Sequence, residues 1–200
     1  MKVPVERAES EIIIKKSRFI AIAEKIDSLE QVKDIVRKVR EEHPKANHVV
    51  HAAVAGKSGT IYSSSDDKEP KNTAGRPALE VLKGSQVTNI VVCIVRYFGG
   101  TLLGTGGLVK AYGDAVKAVL ENLKTEELRE KETLVLNFSY EYYTLLKRLF
   151  EKHGVSIDQE DFSTDIKIRL TIDKEKKEDF TMEAQEIDPY ISIEQKERIL

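Results

Sequence analysis

The chain has no tryptophan and one cysteine among its 200 residues. A single thiol closes no internal disulfide, and Cys93 sits in an apolar run where it acts as a small apolar group. Long hydrophobic stretches are missing as well. The longest, Ile90 to Val95, is far too short to span a bilayer. The opening MKVPVERAESE places charges where a signal peptide needs an apolar core. These absences lead to the expectation of a cytoplasmic protein with no membrane association. Neither charge sign dominates: 32 Lys and Arg face 34 Asp and Glu, a formal net charge of −2. That balance argues against a chain built as a whole for polyanions. Common catalytic and phosphate motifs are also lacking. No GK[ST] ending, no G-x-G-x-x-G spacing and no Ser/His/Asp or Cys/His arrangement at motif spacing is found. No repeat or low-complexity tract stands out, and no cofactor is expected.

What is present is 40% hydrophobic and 33% charged, enough for a core under a well-solvated surface. Through Glu130, Lys and Arg outnumber Asp and Glu by 21 to 18; from Lys131 onward the acids lead 16 to 11. A nucleic-acid contact would therefore favour the first part. There the dominant stretch is NIVVCIVRYFGGTLLGTGGLVKAYGDAVKAVL, Asn89 to Leu120. Its six apolar residues suit a strand buried on both faces. Arg96, Tyr97 and Phe98 follow, then a loop punctuated by Gly99, Gly100, Gly104, Gly106 and Gly107. From Leu108 the apolar residues recur at helical spacing. The unit reads strand, glycine loop, helix. Unpaired N–H groups at such a helix start can cradle an anion, or the glycines only permit a tight return.

Before this unit, Ile12–Ile14 and Phe19–Ile22 read as a hairpin with Lys15, Lys16, Ser17 and Arg18 near its turn. Ser28 and Gln31 have capping-box spacing ahead of a helix that Pro44 stops. Asn47–Ala55 reads as a strand carrying His48 and His51, three apart and so on opposite faces. His48 is either a hydrogen-bonded structural residue or part of a surface site. Ser63 to Arg76 is a polar, irregular stretch, expected to be mobile without ligand. Its Asp66, Asp67 and Glu69 are either solvated loop acids or ligands for Mg²⁺ and acid–base groups. Pro77 suits the first turn of the next helix.

Asn122–Glu132 is polar and charged, and reads as a helix end plus linker. Beyond it the order is strand, helix, two strands, helix, strand: the split βαβ, ferredoxin-like plan. Two α+β domains follow, residues 1–128 and 131–200.

The segment VVCIVRYFGGTLLGTGGLVKAYG resembles the signature of the Impact family, in its bacterial form. KKSRF at Lys15–Phe19, the A-x-H segment Ala46–His48, SDDKEP at Ser65–Pro70 and TAGRP at Thr73–Pro77 match in the family's order. Lys68 departs from the pattern, standing where the family usually has glycine. The resemblance implies an N-terminal domain like the second domain of ribosomal protein S5. It also implies a C-terminal domain like the ferredoxin-like domain V of elongation factor G, of the type called DUF1949. It implies a non-enzymatic role in translation, with RNA, the ribosome or translation factors as partners. Arg96, Lys110, Arg76, His48 and the glycine loop would form the surface, with Tyr97 or Phe98 stacking on a base. The rival expectation is an enzyme acting on a small phosphorylated substrate through the glycine and acidic loops. The oligomeric state is left open.

Overall fold

In the computed structural model, which describes residues 1–196, the chain divides into two units, residues 1–128 and the remainder from Arg129. The last four residues of the expected C-terminal domain lie outside the described residues. The architecture is the expected two-domain α+β arrangement.

The first unit begins with a short strand β1 (Lys2–Pro4) and the hairpin β2 (Ala8–Ile14) and β3 (Ser17–Lys25). Lys15 and Lys16 both take positive φ, 45° and 68°, the two-residue turn whose twist matches paired strands. Helix α1 (Val32–Glu42) follows a single 3₁₀ turn. Gln31 accepts a hydrogen bond from the N–H of Asp27, one residue earlier than a capping box with Ser28 requires. Strands β4 (His48–Ala55) and β5 (Ile61–Ser65) lead to α2 (Gly75–Gly84), β6 (Ile90–Tyr97) and α3 (Gly104–Asn122). The sheet order is β2-β3-β6-β4-β5, and every neighbour is antiparallel.

β6 lies at the centre, buried on both faces. Ile90, Val92 and Ile94 pack against α2 and α3, while Val91, Cys93 and Val95 belong to the core under α1. Burial pushes the Cys93 thiol up to about 12, so it stays protonated and apolar. The expected linker is shorter than its polar composition suggested. Thr125–Glu127 forms β7, antiparallel to β1. Pairing with a strand far away in sequence is invisible to local pattern.

The second unit contains β8 (Lys131–Phe138), α4 (Tyr143–His153), β9 (Ser156–Phe162), β10 (Ile166–Asp173), α5 (Lys177–Ile187) and β11 (Ser192–Lys196). Its sheet order, β11-β8-β10-β9, is that of the ferredoxin-like plan. Ile166, Ile168, Leu170 and Ile172 are buried with the helices, and the residues between them face away. Gly154 ends α4 in the left-handed conformation, φ 64°. Among the described residues no helix is long and apolar enough to cross a membrane.

Candidate functional site

The strand alternation that buries Ile94 also turns Arg96 inward. It is 6% exposed and meets Glu69, Nη1 to Oε1 at 2.5 Å. The same oxygen accepts the Tyr112 hydroxyl at 2.8 Å from α3. His48, directly across the ladder from Arg96, places Nε2 at 3.7 Å from Glu69 Oε1. The His48 Nδ1–H donates to the backbone oxygen of Asp67 at 2.8 Å. The guanidinium lies 5.5 Å from the Phe19 ring centre and 5.7 Å from that of Phe98. Burial and the Glu69 charge push the Tyr112 hydroxyl well above the ordinary tyrosine range, so it stays a donor. A buried pair like Arg96–Glu69 is costly to half-remove, because the survivor is left charged and dry. Arg96 is thus an interior residue, and the surface expected of it moves elsewhere.

The acidic segment is a structured turn. Glu69 N–H donates to Asp66 carbonyl oxygen at 2.9 Å, closing a turn in which Asp67 and Lys68 have φ of 42° and 70°. Lys68 therefore adopts the left-handed conformation that explains a glycine preference at this position. Asp66 accepts the N–H groups of Asn72, Ala74 and Gly75 at 2.8, 3.0 and 2.8 Å. It so supplies the cap that Ala74, at the α2 start, cannot. Asp67 accepts the Val49 N–H and Arg40, both at 2.6 Å. Burial raises its pKa, but these donors outweigh that and hold the carboxyl below the usual range. The three carboxylates reach three different targets. Among the described residues, no group of three or more His, Cys, Asp or Glu side chains is placed to hold a metal ion.

The glycines divide by role. A side chain on Gly99 would collide with the Lys16 carbonyl group, so close approach to the hairpin turn requires glycine there. Gly100 and Gly104 have φ of 83° and 74°. Gly106 and Gly107 do not belong to the loop. They sit in the first turn of α3, which starts four residues before the apolar spacing suggested. Leu103, at its cap, makes no side-chain capping bond, leaving the positive end open.

Arg76 and Lys110 come together. Both line a groove of about 590 Å³ between α2 and α3, with Asn72 and Lys117. Its walls are Pro77, Val81 and Val109, and the helices approach where a Gly113 side chain would stand 3.5 Å from Val81. Glu80 and Asp114 also line it, but pair with Lys83 and Lys117 along their own helices. Among the described residues neither Arg76 nor Lys110 has an ion-pair partner. Tyr97 is not part of this groove. It points to the α1 side, where its hydroxyl bonds His43 Nδ1 at 2.9 Å. Arg18, near the hairpin turn, is held by Glu11 at 2.8 Å. Sequence reasoning missed Asn72 and Lys117; the helical spacing of Lys110, Gly113 and Lys117 was the available signal.

Comparison with known proteins adds to this geometry. The profile of the Impact N-terminal domain matches residues 15–120, and that of a domain of unknown function, DUF1949, matches residues 136–187. An IMPACT family member from Haemophilus influenzae is 40% identical over 92% of this chain and 90% of its own length. The IMPACT family member YigZ of Escherichia coli is 39% identical over 84% of this chain and 83% of its own. A crystal structure described as that of a hypothetical protein is 35% identical, with a TM-score of 0.69. That match covers 98% of this chain and 97% of the other. The chain belongs to the Impact family.

Proposed function

We propose that the protein is a non-enzymatic, translation-associated binding protein that contacts RNA phosphates through the α2–α3 groove. The observation that carries this reading is the pair of cations, Arg76 and Lys110, without an ion-pair partner among the described residues and facing one groove in the more basic unit. Cations with no internal partner are free to meet phosphates, and Arg can do so with two parallel bonds. The uncapped first turn of α3 adds a second place of positive potential. Family membership supports translation as the setting. The enzyme reading requires acids available to a substrate, whereas Asp66, Asp67 and Glu69 are engaged within the fold.

The test is a titration of single-stranded RNA and of ribosomes across a salt series. Arg76→Ala and Lys110→Ala should each lower the salt slope by about one phosphate contact. Absence of binding by the wild type at low salt overturns the reading. Binding that neither substitution alters overturns the groove as its site.

A further inference from the structure

A second cavity lies on the opposite side of the five-stranded sheet, between α1 and the edge strand β5. It measures about 280 Å³. Its origin is a sequence choice. Ladder register puts Ser63 across from Ala53 and Ser65 across from His51, on the face covered by α1. Edge positions facing a core ordinarily carry branched apolar residues. Two serines there leave a cleft under Val32 and Val36 and line it with hydroxyls.

The cleft is lined by apolar and polar side chains from the same elements. Leu29, Val32, Val36 and Val49 give an apolar wall. Lys33, Arg40, His51, Ser63, Ser65 and Asp67 supply the polar part of the lining. Arg40 and Asp67 neutralise each other at 2.6 Å. Lys33 has no ion-pair partner among the described residues. His51 shares a 3.2 Å hydrogen bond with Ser63 Oγ. Burial holds its imidazole below the ordinary histidine range, so at neutral pH it is uncharged. Ser65 Oγ accepts the Asp67 N–H at 3.2 Å, which leaves its own proton to donate. The cleft therefore carries one surplus positive charge, from Lys33, and a spare hydroxyl donor. The Asp67 carboxylate in its wall disfavours a dianion. The volume falls below the roughly 300–1,000 Å³ usual for drug-sized ligands.

We propose that the α1–β5 cleft binds a small amphiphilic carboxylate, its head on Lys33 and the Ser65 hydroxyl and its short tail along Val32 and Val36. The site is independent of the α2–α3 groove and of any RNA contact there. It is tested by NMR titration of the full chain with hexanoate, alongside hexanol, acetate and inorganic phosphate. Hexanoate should give saturable shifts at Lys33, His51, Ser63 and Ser65, with the other three probes at least about tenfold weaker. Lys33→Ala should weaken hexanoate about tenfold, the loss of one charge-assisted contact. Ser63→Val should fill the cleft and abolish binding while leaving the melting temperature unchanged or higher, as suits a strand position. Should that variant not fold, the Lys33→Ala titration decides alone. Hexanoate shifts that do not saturate overturn the proposal. So do equal binding of hexanol, undiminished binding by folded Ser63→Val, or binding unchanged in Lys33→Ala.

Discussion

The central strands of the two units solve the same problem differently. β6 reads IVVCIVRY and is covered on both faces; β10 reads IKIRLTID and is covered on one. In the second unit polar side chains can stand anywhere along the uncovered face, where Lys167 and Arg169 lie beside Val135 and Gln159. In the first unit the middle of β6 has no room for them. Polar chemistry is displaced to strand ends and edges: Arg96 near the end of β6, Ser63 and Ser65 on β5. A sheet buried twice concentrates its polar groups, and each carries more weight.

That contrast can be broken at its most sensitive point first. Glu69→Ala leaves Arg96 buried without its counter-charge and should destabilise the first unit by about 3–5 kcal/mol. Urea unfolding followed by methyl NMR separates the units and reads this directly. A loss below about 1 kcal/mol would mean that water replaces the carboxylate. The next test sharpens the strand comparison itself. Ile94→Ala should cost about 2–5 kcal/mol, whereas Arg169→Ala, on the uncovered face of β10, should stay within about 0.5 kcal/mol. Comparable losses at the two positions would show that the outer face of β10 is not solvated as described.

The smallest effect is electrostatic. His51 has a folded pKa depressed below its ordinary 6.5, so the unfolded chain binds more protons below neutrality. Its contribution is fully present above about pH 6.5 and is lost as pH falls through the folded value. The melting temperature of the first unit should decline from pH 7 to pH 5, and more shallowly in His51→Gln. Identical slopes would place the proton uptake on another group.

How much of this was legible in sequence depended on distance along the chain. The β6 run, the β10 alternation and the β2–β3 turn are local patterns and read correctly. The Ser63–Arg76 stretch looked irregular because its order comes from Asp66 reaching forward to cap α2 and Asp67 reaching back to β4. Lys68 and Asp67 hide the turn further, since non-glycine residues occupy left-handed positions. The start of α3 was placed too late because Gly104, Gly106 and Gly107 have poor helix propensity, which packing of the rest of the helix overrides. Arg96 read as a surface cation because nothing within its own segment names Glu69 as its partner. The Impact resemblance marked His48 and Arg96 as surface residues, gave Tyr112 no role, and did not show that the cluster faces inward. Arg76 and Lys110 were both singled out, yet only the packing of α2 on α3 makes them neighbours.

The pairing of β1 with β7 has a consequence for how the protein is made. Met1 carbonyl oxygen accepts the Leu128 N–H at 2.9 Å, and Lys2 to Pro4 align with Glu127 to Thr125. During synthesis, the earliest strand of the unit must wait for the latest before the small sheet can close. Until Glu127 has cleared the exit tunnel, β1 has its backbone bonds to Gln86 and Thr88 but not its ladder partner. The two ends of the unit work as a drawstring, tightened once the rest of the first unit has been delivered.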